Sequence, residues 1–321
     1  MGNSIISLEI NETEIGSKKT TTLKEHVIYN KWLYIMLIPG IIYFIIFKFA
    51  PMWGITIAFK DYSPYSGFWN SEWVGTEYFK DFFSSPNFVR LLSNTLTLGV
   101  LNVTIGFAFP IILALLLNEI KLGVYKKCIQ TAIYVPHFVS WTIVSSISVI
   151  LLTSDTGALA NLFASITGHQ VNVLTEPGFF KAMIVVQGIW KESGYGTIIY
   201  LAALASVDPE QYEAAIVDGA GRFKRVIHIT LPAIKNTIVI MLILKCGSFL
   251  STGFDQIFLM TNALNRTAAD VFDTYVYQVG ITQGAYSYAT TVGLFKSVVG
   301  VILVVGANII AKKIDPDSGI Y

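Results

Sequence analysis

The sequence predicts an all-α integral membrane protein of about six transmembrane helices. Hydrophobic residues make up 53% of the chain and charged residues 13%, and mean hydropathy is +0.59, far too apolar for an ordinary soluble domain. Six apolar segments approach the roughly 20 residues that a spanning helix needs. Those segments are continuous, whereas strands of a lipid-facing barrel would be about ten residues long and alternate in polarity.

Taken in order, residues 1–31 form a largely polar N-terminal tail. No small-residue cleavage site precedes the first apolar run, so that run is expected to remain as a span. The six spans are Trp32–Phe47, Leu91–Leu117, Ile129–Leu152, Phe179–Leu204, Ile238–Met260 and Tyr288–Ala311, and the membrane domain covers 32–311. Between spans one and two, Pro51–Asn87 is rich in turn residues and carries Trp53, Tyr62, Tyr65, Phe68, Trp69 and Trp73. Such a stretch suits an interfacial aromatic belt, and could serve a docking surface as well. Residues 312–321 form the C-terminal tail.

Basic residues set the orientation. Lys18, Lys19, Lys24 and Lys31 precede span one; Lys121, Lys126 and Lys127 lie between spans two and three; Arg222, Lys224, Arg225 and Lys235 lie between four and five; Lys312 and Lys313 follow span six. The opposite loops carry fewer, chiefly Lys60, Lys80, Arg90 and Arg266. The positive-inside rule therefore places both termini in the cytoplasm of a cell-membrane protein.

Several kinds of chemistry find no support. Cys128 and Cys246 lack the paired spacing of a zinc or redox motif and read as small packing residues. His26, His137, His169 and His228 are far apart in sequence, with no carboxylates at ligand spacing. Neither a Gly-x-x-x-x-Gly-Lys-Ser/Thr phosphate loop nor a Gly-x-Ser-x-Gly elbow occurs. The chain is expected to carry no metal, no cofactor and no catalytic group, so any ATP must be bound by another chain. No solenoid repeat or low-complexity run interrupts it.

The loop between spans four and five, residues 206–235, carries the most information. Asp208 suits an N-cap, Pro209 the first helical position, and Gln211 stands where its side chain can reach back to the cap. Gly219 after Asp218 can adopt the left-handed conformation that stops a helix; Arg222–Ile229 then starts a second short helix that Pro232 limits. Ala214, Ala215 and Ala220 permit close approach of a partner surface, and Glu213, Asp218, Arg222 and Arg225 surround them with charge. A helix-turn-helix knob outside the bilayer is the expected product.

The pattern Glu213-Ala214-Ala215, three residues, Gly219, nine residues, Ile229-x-Leu231-Pro232 resembles the signature of the membrane permease subunits of binding-protein-dependent ABC importers. Seven specified residues at fixed spacing rarely coincide by chance, and their place in a cytoplasmic loop is independent support. The resemblance covers about 94–312, with span one as an extra N-terminal helix, and implies a type I ABC importer permease-like bundle with a cytoplasmic coupling helix. In that family the helix sits in a cleft of the ATPase, so the resemblance assigns coupling to Glu213, Ala214, Ala215, Asp218, Gly219, Arg222, Ile229, Leu231 and Pro232. It further implies two ATPase subunits holding ATP and magnesium, a second homologous permease in a heterodimer, and an extracytoplasmic solute-binding protein, with no nucleic acid.

A narrower resemblance is to permeases of the oligosaccharide and polysaccharide branch linked to alginate and rhamnogalacturonan. The stretches that carry it are Tyr134–Trp141, Ile189–Leu204, Phe254–Ile257, Asp273–Tyr277 and Tyr286–Thr290. It implies an oligosaccharide solute, including acidic, uronide-containing ones.

Physical chemistry points to some of the same residues. Lys191, Glu192, Lys245, Asp255 and Lys296 fall in or beside spans, where an isolated charge costs a few kcal/mol and is expected to face the interior or water. Lys191 and Glu192, adjacent on a helix, are expected to find separate partners on other helices, and Lys245 and Lys296 to snorkel or to tie helices together. Sugars are held by aromatic faces and by planar amides and carboxylates, so Trp190, Lys191, Glu192, Tyr195, Phe254, Asp255 and Gln256 form the candidate solute set. Lys191 is the expected contact of a uronate. Three alternatives remain: an importer of a non-sugar solute; an exporter or secondary carrier, although neither related halves nor broken helices are visible in the sequence; and an intramembrane enzyme, although no catalytic cluster lies within the spans.

Overall fold

The structure is a computed structural model that describes residues 29–120, 123–154, 156–168 and 172–314. Most of both terminal tails, with the expectations placed on them, lies outside the described residues. The chain divides into two compact units, up to Ile55 and from Thr56 onward. The first consists of the helix Lys31–Phe44, a π turn at Ile45–Phe49 and the short turn Ala50–Met52. Exposed apolar side chains cover it along its length, as a lipid-facing helix requires.

The second unit begins with a 3-10 turn and a small antiparallel hairpin that pairs Lys60 with Trp73 and Asp61 with Glu72. The helix Glu77–Ser84 follows and buries Phe82, whose ring meets those of Phe88, Phe272 and Phe295 edge-on. Part of the aromatic loop is thus packed core, while Trp53, Tyr65, Trp69 and Trp73 remain exposed.

Among the described residues, three helical runs are long and apolar enough to cross a membrane: Lys31–Phe59, Pro86–Asn118 and Tyr286–Ile314. Counting two bent pairs as spans raises the number to five. The helix Pro177–Ala205 has the length, at 29 residues, but Lys181, Lys191 and Glu192 interrupt its apolar composition. Its middle is instead packed against other helices. A Cβ on Gly194 would lie 1.8 Å from the carbonyl oxygen of Ile133, so only glycine permits the backbones of Pro177–Ala205 and Gly123–Phe138 to cross this closely.

The structure corrects two expected spans. Ile129–Leu152 is not continuous: Gly123–Phe138 and Trp141–Leu152 meet at 99°. The Ser140 side chain caps the second helix by accepting from Ile143 N at 3.3 Å, and Pro136 lies in the last turn of the first. Ile238–Met260 is broken as well, into Lys235–Gly247 and Phe254–Met260. The break at 248–253 holds Ser248, Ser251 and Thr252 alongside Phe249 and Leu250; Gly253 has φ +88° and Thr252 N donates to Asp273 Oδ2 at 3.2 Å. Cys128 also departs from expectation, being exposed rather than packed, while Cys246 is half-buried.

Candidate functional site

The loop helix spans Pro209–Val217. Asp208 caps it, its side chain accepting from Glu210 N at 2.9 Å. Among the described residues Gln211 makes no side-chain bond back to the cap; its backbone N–H donates to the Asp208 carbonyl at 3.3 Å. At the C-terminal end Gly219 takes φ +76°. Gly219 N donates to Ile216 O at 3.0 Å and Ala220 N to Ala215 O at 2.8 Å, the paired bonds of a Schellman stop.

The second loop helix extends further than the sequence suggests. Arg222–Arg225 continues through a π turn at Val226–Thr230 into Leu231–Ala233, and the chain bends by 63° before Lys235. A regular α turn would set the His228 carbonyl against the Pro232 ring, and the wider turn just before the proline relieves that clash. Pro232 therefore marks the bend rather than ending the helix ahead of it.

Two contacts brace the loop that the residue reasoning missed. Tyr212 Oη lies 3.1 Å from Thr230 Oγ1, joining the first loop helix to the π turn, and Arg222 Nε stands 3.9 Å from Glu119 at the end of the second span. Ile234, at the bend, is buried with Ala114, Tyr200 and Leu204. The loop is thereby joined mechanically to the second and fourth spans. Its outer surface is apolar at Ile216, Val217 (87% exposed) and Phe223 (77% exposed), while Glu213, Ala214, Asp218 and Arg222 are exposed and Ala215, Ile229 and Leu231 are half-buried.

The solute candidates divide between two cavities. The first, of about 540 Å³, is lined by Glu192, Lys245 and Gln256 together with Trp141, Tyr200 and Thr252. The second, of about 640 Å³, is lined by His137, Trp141, Lys191, Phe254 and Asp255. Both fall within the roughly 300–1,000 Å³ of small-molecule sites. Trp190 is 53% exposed and is absent from the linings of both. Tyr195 is likewise absent from them, but its ring stacks on His137 at 4.1 Å.

Contrary to the expectation of separate partners, Lys191 and Glu192 pair directly, Nζ to Oε1 at 3.1 Å. Adjacent Cα atoms point apart on a helix, but these side chains are long enough to curl toward each other. Lys191, only 6% exposed, also donates to His137 O at 2.7 Å and lies 5.3 Å from the centre of the Trp141 ring. Glu192 Oε2 is 2.7 Å from His137 Nδ1. His137, 55 positions from Glu192 in sequence, escaped notice because only the fold brings spans three and four together.

Gln256 is buried and already bonded, its Nε2 donating to Ile184 O at 2.7 Å and to Gln187 Oε1 at 3.0 Å. Phe254 stacks on Phe258 at 5.1 Å, and Asp255 is exposed. Lys296 pairs with Asp273, which ties two helices together. Lys245 projects to the first cavity.

The sequence profile of the family described as "Binding-protein-dependent transport system inner membrane component" matches residues 82–316. The chain is 65% identical to Protein LplB of Bacillus subtilis (strain 168), over 90% of this chain and 91% of that one. It is 51% identical to the polygalacturonan/rhamnogalacturonan transport system permease protein YteP of the same organism, over 95% and 94%. Among solved structures it resembles a chain of a bacterial alginate ABC transporter, crystallised in complex with an alginate pentasaccharide-bound periplasmic protein, with TM-score 0.84 and 39% identity over 91% and 98%. The chain is a multi-pass membrane protein with the type I ABC permease fold, and it belongs to the binding-protein-dependent transport system inner membrane component family.

Proposed function

We propose that this chain is one of two permease subunits of an ATP-driven importer of oligosaccharides, acidic uronide-containing ones among them. The observation that carries the reading is the loop helix Pro209–Val217. It is capped at one end by Asp208 and stopped at the other by Gly219, and it presents Ile216 and Val217 outward from a polar loop, beside the exposed Phe223 of the second loop helix. Apolar side chains held on so rigid and polar a segment suit insertion into a partner's groove. The partner is an ATPase that holds ATP and magnesium, two copies per transporter.

The coupling set is Glu213, Ala214, Ala215, Asp218, Gly219, Arg222, Ile229, Leu231 and Pro232, with both termini on the same cytoplasmic side. Closure of the ATPases draws the loops together. The Tyr212–Thr230 brace and the packing of Ile234 carry that movement into the second and fourth spans. The likeness to YteP and to the alginate transporter supports an acidic oligosaccharide delivered by an extracytoplasmic binding protein to a permease heterodimer. Glu192 and Gln256 meet the solute in the first cavity; Phe254 and Asp255 meet it in the second. Lys191 lines the second cavity as well, while Trp190 and Tyr195 support the path from outside both linings.

The test is to tag the chain, extract it gently from its native membrane and identify what stays bound by mass spectrometry. Recovery of a second permease, a cassette ATPase and a solute-binding protein supports the reading. Recovery of the chain alone, or uptake of oligogalacturonate that survives ATP depletion, overturns it in favour of a secondary carrier.

A further inference from the structure

The first cavity holds two polar groups without the partners that polar groups inside a membrane protein ordinarily have. Lys245 lies in the span helix Lys235–Gly247 and lines the cavity, and among the described residues no carboxylate stands within ion-pair distance of it. Lys191 is committed to Glu192 and the His137 carbonyl, and Lys296 to Asp273. The charge of Glu192, the carboxylate that shares the cavity, is already offset by Lys191 and approached by His137. Glu192 acts on the Lys245 charge from beyond ion-pair distance, so among the described residues Lys245 is the cation of that lining without a direct salt bridge, in a span where a charge is costly unless it serves a water-filled path or a ligand.

Thr252 is the second such group. It is 4% exposed, and its Oγ1 is buried with no hydrogen-bond partner among the described residues, a condition that calls for an explanation in a well-packed protein. It sits in the irregular break at 248–253, and irregular backbone at membrane depth is tolerated where it lines a cavity or is buried in protein. Ser251 and Gly253 of the same break also line the cavity.

We infer that Lys245 and Thr252 are the carboxylate-reading contacts for a uronate residue in this cavity, the ammonium pairing with the carboxylate and the hydroxyl donating to one of its oxygens. The assignment rests on the importer reading above, and it replaces Lys191 as the uronate contact because the structure already uses that ammonium. Gln256, whose amide N–H groups are occupied, is left to accept from a sugar hydroxyl through its carbonyl oxygen.

The test uses the complete transporter, with its partner permease, ATPases and binding protein, in proteoliposomes. The probes are trigalacturonate and the neutral trisaccharide made by reducing its carboxyl groups. Lys245→Met is expected to lower trigalacturonate uptake by about tenfold or more, as loss of a charge-assisted bond would, with neutral uptake and protein level near wild type. Lys245→Arg should restore most of the acid uptake, and Thr252→Val should lower it by about threefold. Where the wild type transports only the acid, the contrast between Lys245→Met and Lys245→Arg decides. Equal loss of both probes in Lys245→Met, or full acid uptake in it, overturns the assignment and leaves the importer reading standing. A wild-type complex that transports neither probe removes the uronide reading itself, and this assignment falls with it.

Discussion

Replacing Gly219 tests whether the shape of the loop, rather than its composition, transmits the ATPase stroke. The residue has φ +76°, and a Cβ built there would meet no atom within 4 Å. The cost of substitution is therefore local backbone strain, not a clash. For an alanine the left-handed conformation costs about 1–2 kcal/mol; a β-branched valine reaches about 3 kcal/mol. Relief of that strain would sacrifice the bonds from Gly219 N and Ala220 N that stop the helix. A penalty of about 1–3 kcal/mol shifts the balance between formed and opened turn by roughly 5- to 150-fold. Asparagine tolerates this region far better. The expected order of sugar-stimulated ATPase activity in the assembled transporter is Gly219, then Gly219→Asn, then Gly219→Ala, then Gly219→Val, with equal amounts of complex recovered. Val activity equal to wild type would refute the reasoning. So would an Asn variant as impaired as Val, since strain would then not be the cause.

Two further outcomes follow from packing. Lys296→Met leaves the Asp273 carboxylate without its cation, a loss of about 3 kcal/mol, and should lower the melting temperature of the purified transporter. Adding Asp273→Asn should recover part of that loss, and a single variant as stable as wild type would show that the pair is not a tie. Gly194→Ala forces a methyl group to 1.8 Å from the Ile133 carbonyl, so the two helices must separate. Greatly reduced membrane-inserted protein is expected on immunoblots, and normal levels with normal uptake would contradict the close crossing.

The loop helix was legible residue by residue, because the signals that cap and stop a helix act within a few positions. Asp208 and Gly219 perform their expected local roles. The reach of Gln211 and the end of the second loop helix were not legible in the same way. Each depends on whether an alternative bond is available, and the π turn before Pro232 supplies one. The spans read as hydrophobic lengths, and hydrophobicity averages over a window. It therefore passed across the breaks at 138–141 and 248–253, which are short and local.

By itself the sequence determined the membrane class, because apolar length against bilayer thickness is a one-dimensional quantity. It also determined the loop pattern 213–232, whose spacing lies within one continuous segment. Only the tertiary structure decided which charges are spent and which remain. Lys191, Lys245 and Lys296 look alike along the chain, each a lysine in an apolar stretch. Among the described residues Lys191 pairs with its neighbour Glu192 and reaches the His137 carbonyl, Lys245 has no ion-pair partner, and Lys296 pairs with Asp273; the contacts between helices follow from which helices face one another. A charge–charge contact is governed by distance in space, and only the fold sets that distance.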